Sequence, residues 1–134
     1  MEYVFEKYRV NGKDFLVFDT NKNQYELSQE KIRRICKHHF GAGISGVIMG
    51  PYLKENSFAV RMFDTDGSEE QKNPDAVVVF NQCLKDHVYV SDNHYTINTL
   101  GGSVEMDDCI NADAKCKAKQ TGKIITADHF IEWL

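Results

Sequence analysis

The sequence predicts an α+β domain: a mostly antiparallel sheet, curled around one central buried helix. Three observations carry that expectation. Turn residues punctuate short stretches of alternating polarity from Tyr3 to Met106, the pattern of strands joined by hairpins. An amphipathic segment, Ser28 to His39, reads as one helix. A second segment opens with Asn73-Pro74-Asp75 and runs into Ala76-Val77-Val78-Val79-Phe80, apolar on every side. A helix apolar all round is a buried one.

Tyr3–Val10 alternates weakly and predicts a strand, Asn11-Gly12 a hairpin turn, and Asp14–Asp19 the returning strand. Ser28 is placed to cap the first helix, with Leu27 stapled against Ile32. Ile32, Ile35, Cys36 and His39/Phe40 form its apolar stripe, and Gly41 is a natural stop. The glycine-rich loop Gly41–Gly46 lacks the Lys-Ser/Thr that a phosphate-binding loop would need. Val47–Met49 and Ser57–Asp64 read as strands, separated by Gly50-Pro51 and a charged turn near Lys54–Asn56.

Asp66-Gly67 marks a tight turn. At the next helix, Asn73 suits the cap, Pro74 the first position, and Asp75 the positive end of the dipole. Three valines in a row prefer strands, so a buried strand is the rival reading here. Val88–Val90, Tyr95–Thr99 and Ser103–Met106 suggest short strands, with Gly101-Gly102 at a turn. In the tail, Lys115, Lys117 and Lys119 alternate with Ala114, Cys116 and Ala118 as an edge strand would. Thr121-Gly122 suggests a hairpin into Lys123–Thr126, and Ala127–Leu134 a short closing helix.

The 134 residues fit a single domain, 1–134. A net charge of −4 gives no bulk electrostatic reason for nucleic-acid binding, and no apolar run is long enough to predict a membrane span. The N-terminal MEYVFEKYRV lacks a secretory pattern, so a cytoplasmic protein with reduced thiols is expected. Cys36 and Cys83 read as core, and a Cys109–Cys116 bridge has little support. No metal is expected: His38 and His39 diverge on a helix, and His87, His94 and His129 have no metal-like spacing.

A set of residues taken in order resembles the N-terminal half of the diaminopimelate epimerase family. These are Gly12-Lys13-Asp14-Phe15; Leu27-Ser28 leading to Ile32-Arg33-Arg34-Ile35-Cys36; His39-Phe40-Gly41-Ala42-Gly43; Arg61-Met62-Phe63-Asp64-Thr65-Asp66-Gly67-Ser68-Glu69; and Ile97–Val104. The resemblance covers about residues 5–107 and leaves 108–134 as a tail of unassigned structure. It implies one of two similar half-folds, each a sheet curled round a central helix, with an active site between the halves. In such a family one cysteine from each half exchanges a proton with an amino-acid α-carbon, and no cofactor is used.

The family's Cys-Gly-Asn-Gly falls on Asn73-Pro74-Asp75-Ala76. Asn73 cannot carry a proton to carbon, Pro74 removes a backbone donor, and Asp75 repels an anion. Two family asparagines become Lys13 and Asp64, and an acidic residue becomes Ser45. The expected site is therefore a changed ligand site of Lys13, Asp64, Asn73, Pro74, Asp75 and Ala76, with no catalytic residue and no cofactor. The leading expectation is a non-catalytic binding or scaffolding module that forms a homodimer. The alternative is a divergent amino-acid racemase or epimerase, acting as a dimer or with a separate second half-domain.

Overall fold

The computed structural model describes residues 2–23, 26–38, 43–54, 57–90, 94–107 and 118–127. In chain order the elements are β1 (Glu2–Val10), β2 (Lys13–Asp19), α1 (Gln29–His38), β3 (Ile44–Lys54), β4 (Ser57–Phe63), β5 (Glu69–Glu70), α2 (Pro74–Asp86), β6 (His94–Thr99), β7 (Gly102–Asp107) and β8 (Lys119–Ala127). The α+β class is as expected; the curled sheet is not. The eight strands run in the open order β7-β6-β4-β3-β2-β1-β8, with β5 appended to β4.

The sheet is also mixed. Five pairings are antiparallel, while β2–β3 and β4–β6 are parallel. Each parallel pair needs a crossover, and each crossover contains a helix: α1 for the first, α2 for the second. Crossovers of this kind are right-handed. The two pairs step the same way along the sheet but run in opposite directions, because β3 and β4 are antiparallel. Right-handed crossovers must then put α1 and α2 on opposite faces. The strand order is open, with β7 and β8 at its two edges, so the sheet does not close around α2.

Strand alternation feeds the two faces separately. Tyr3, Phe5, Leu16, Phe18, Val47, Met49 and Phe63 pack with Ile32, Ile35 and Cys36 of α1. Tyr8, Val10, Phe15, Val17, Ile48, Val60 and Met62 pack with Ala76, Val79, Phe80, Cys83 and Leu84 of α2. Asp14–Phe18 is apolar at nearly every position because β2 is covered on both sides. The α2 helix is not buried all round: Val77 and Val78 are only half-buried. Its buried Asn81 accepts a hydrogen bond from the Tyr95 hydroxyl.

Local expectations differ in three further places. Gly50-Pro51 does not end a strand; β3 continues through it, with irregular register against β4 between Met49 and Tyr52. Val88–Val90 is not a strand but the exit from α2. Thr121-Gly122 is not a hairpin: β8 runs on antiparallel to β1, with the register shifting where Lys7 faces Gly122 and Tyr8 faces Gln120. A glycine inside a strand marks such a bulge. The expected Lys115 and Lys117 edge and the Cys109–Cys116 question lie outside the described residues, as does the closing helix expected at Ala127–Leu134 except for Ala127, which ends β8.

Candidate functional site

The two ends of α2 carry different chemistry. At the N-terminal end, Asn73 has extended backbone (φ −153°, ψ 94°) and its Oδ1 accepts the Ala76 amide at 3.1 Å. Its amide nitrogen donates to Glu70 Oε2 at 3.3 Å. The cap thus fills an amide that a bound anion would otherwise use. Asp75 turns away to Lys13, with Oδ2 3.0 Å from Nζ, and its Oδ1 accepts from Asn11 Nδ2 at 3.2 Å. The hydrogen bond from Lys13, then that from Asn11, holds Asp75 below the usual carboxylate range.

Of the six residues expected at this site, Lys13 and Asp75 meet, Asn73 and Pro74 form the tip, and Ala76 is buried beneath it. Asp64 does not join them. Its carboxylate accepts the Thr65 amide at 2.7 Å within its own turn. That turn docks on α1: at Gly67, φ is +88° and an added Cβ would lie 2.4 Å from the Gln29 carbonyl oxygen.

A groove of about 390 Å³ opens at the same tip, lined chiefly by Met62, Asn73, Pro74, Val77, Gly101 and Val104. That volume suits a small molecule. Gly101 is required for its wall, because a Cβ there would stand 2.5 Å from the Gln71 carbonyl oxygen. The groove is open and largely apolar, with polar groups from Thr99, Ser103 and Gln71 at its edge.

The C-terminal end of α2 gathers groups that histidine spacing alone did not reveal. Cys83 and His87 stand four residues apart, on one face of the last turn. Glu6 reaches them from β1, where it occupies an inward position between the alternating Val4 and Tyr8. Ligand atoms of Glu6, Cys83 and His87 all lie within 4.8 Å of one another. His87 Nε2 is 2.6 Å from Glu6 Oε2, and Lys22 Nζ is 2.6 Å from His87 Nδ1 and 3.4 Å from Glu6 Oε1. An ammonium can only donate. The pattern therefore assigns a neutral imidazole that accepts at Nδ1 from Lys22 and donates from Nε2 to Glu6.

Burial, and then the charge of Glu6, pushes the Cys83 thiol up to about 12. It is neither a nucleophile nor a base in this state. Around it, the Tyr8 hydroxyl donates to Asp86 at 2.8 Å and the Tyr89 hydroxyl to Asp19 at 2.7 Å. Burial is the first cause raising both phenols.

The sequence matches the family model described as diaminopimelate epimerase over residues 5–126. The chain belongs to the diaminopimelate epimerase family. A relative from Nostoc sp. named diaminopimelate epimerase 2 is 37% identical over 102 residues, covering 75% of this chain and 36% of its own length. A diaminopimelate epimerase from Cyanothece sp. is 34% identical over 110 residues, covering 78% of this chain and 39% of its own length. The chain thus spans well under half the length of these curated relatives. Among solved structures, a phenazine biosynthesis protein of the PhzF family from Enterococcus faecalis superposes with a TM-score of 0.61. At 14% identity, over 80% of this chain and 40% of that one, this likeness establishes the fold alone. None of the described helices is long and apolar enough to cross a membrane.

The family motif expected on Asn73-Pro74-Asp75-Ala76 would stand at the α2 tip and its groove. This chain's buried thiol on α2 lies ten positions further along, about 15 Å away at 1.5 Å per residue.

Proposed function

We propose that the chain is a divergent half-site of a cofactor-independent amino-acid racemase or epimerase, working with a separate second half. The observation that supports this most is the groove at the α2 tip, which lies where the family motif falls and is walled by the Gly101-Gly102 loop. Met62, Val77 and Val104 offer an apolar surface for a side chain, while Thr99, Ser103 and Gln71 offer polar partners. In this reading the chain binds and orients. It supplies no proton-transfer group at the tip, because Asn73 stands where the family has cysteine and Cys83 is remote and protonated. Proton exchange at the α-carbon then depends on a group from a separate second half, since a second copy of this chain brings the same tip.

A second reading, a non-catalytic binding or scaffolding module, is favoured by one observation: the tip is self-satisfied, through Asn73 on the Ala76 amide and Lys13 on Asp75. A deuterium-exchange assay over a panel of amino acids separates the two. Washout of the α-proton by the chain together with a second half co-purified from its host, and not by the chain alone, supports the half-site. Binding without washout in either condition supports the module.

A further inference from the structure

We propose that Glu6, Cys83 and His87 form a site for a divalent transition-metal ion, with zinc as the best match to the donors. The three side chains bring a carboxylate, a thiol and an imidazole from two elements to within 4.8 Å of one another. This mixture of oxygen, sulfur and nitrogen suits Zn²⁺, and three protein ligands leave a fourth position open. Glu6 and Cys83 are nearly inaccessible, at 4% and 1% exposure, so neither is a surface group that came close by chance.

A separate observation points to a cation. The Lys22 ammonium already sits against both Glu6 and His87, satisfying the site with a positive charge. Its side chain is 38% exposed, so it can leave towards solvent without disturbing the core. His87, the capping residue of α2, is held by its amide on the Cys83 carbonyl oxygen at 3.1 Å. The ring is therefore anchored next to the thiol it would share the ion with. The balance of the step is simple. Zn²⁺ takes a lone pair each from the Cys83 sulfur, a His87 ring nitrogen and a Glu6 oxygen. The thiol proton passes to solvent, and Lys22 swings out still charged.

The site is distinct from the α2 tip, and its test does not depend on amino-acid turnover. The full chain, kept reduced without added thiols, is titrated with Co²⁺ as the spectroscopic probe and with Zn²⁺ in competition. A single tight site with a sulfur-to-cobalt charge-transfer band is expected. The band is lost in Cys83→Ser and kept in Cys36→Ser. Lys22→Ala tightens binding about tenfold by removing the competing ammonium; this exposed substitution keeps the test sound even if Cys83→Ser folds poorly. Absence of the band, its persistence in a folded Cys83→Ser, or unchanged or weaker binding by Lys22→Ala would overturn the proposal.

Discussion

The ammonium of Lys13 stands 3.0 Å from the carboxylate of Asp75, joining the β1–β2 turn to the first turn of α2 across 62 residues of sequence. The contact is partly solvated, with the lysine side chain 56% exposed and the aspartate 24%. Such a pair stabilises by no more than about 1 kcal/mol. Lys13→Met should therefore lower the urea midpoint only slightly, and the loss should shrink in high salt.

The acid dependence should come from Asp14 as well as Asp75. Asp14 is nearly buried, and the hydrogen bond from Arg9 is the first cause holding it below its ordinary value. Both folded-state values are depressed. Their contribution is thus fully present above the unfolded carboxylate value, near 3.9, and is lost as pH falls through the folded value. Urea midpoints taken from pH 6 down to 2 should fall in acid, and Asp14→Asn should flatten that fall. Since Arg9 is solvated, the effect at pH 6 should be small.

Asn73 tests the cap and the family position together. Asn73→Ala should cost about 1 kcal/mol, because the Ala76 amide loses its partner. Asn73→Cys would place a thiol at a helix N-terminus, which lowers it below its ordinary 8.5 or so. By contrast, burial pushes Cys36 up to about 11 and Cys83 up to about 12. Iodoacetamide at pH 7 should label Asn73→Cys faster than the parent chain.

Val88 sits at φ +57°, a left-handed conformation that a β-branched residue rarely adopts. It closes α2, its amide bonding the Lys85 carbonyl and the Tyr89 amide bonding the Leu84 carbonyl. That arrangement calls for glycine. With Val88 79% exposed, no packing is lost by removing it. Val88→Gly should raise stability by about 1 kcal/mol in urea unfolding.

Gly67 is the reverse case. Any side chain there collides with the Gln29 backbone and must also adopt positive φ. Gly67→Ala should destabilise by about 2 kcal/mol or more, read as a lower melting temperature.

What was legible in the sequence followed the range of the forces involved. Asn73-Pro74-Asp75 was readable because a cap is decided within one turn. The Asn11-Gly12 turn was readable for the same reason, and both residues take positive φ. Asp14–Phe18 was readable as a strand, but its two buried faces depend on where α1 and α2 cross. Whether the sheet closes depends on whether its edge strands β7 and β8 pair, which no local pattern fixes. Thr121-Gly122 carries a hairpin's residues, yet pairing with β1 makes it a bulge. The Glu6, Cys83 and His87 cluster depended on β1 meeting the far end of α2. Its local traces were the four-residue spacing of Cys83 and His87 and a charged residue, Glu6, at an inward position of β1.

The central claim is that the α2 tip binds a ligand while this chain alone moves no proton. It is tested most directly by methyl NMR of the chain in D₂O, titrated with a panel of amino acids while their α-proton signals are followed in the same tube. The account predicts shifts confined to the methyl groups of Met62, Val77 and Val104 that line the groove, with α-proton signals unchanged until a second half is supplied. Shifts that avoid the tip, or α-proton loss catalysed by the isolated chain, would contradict it.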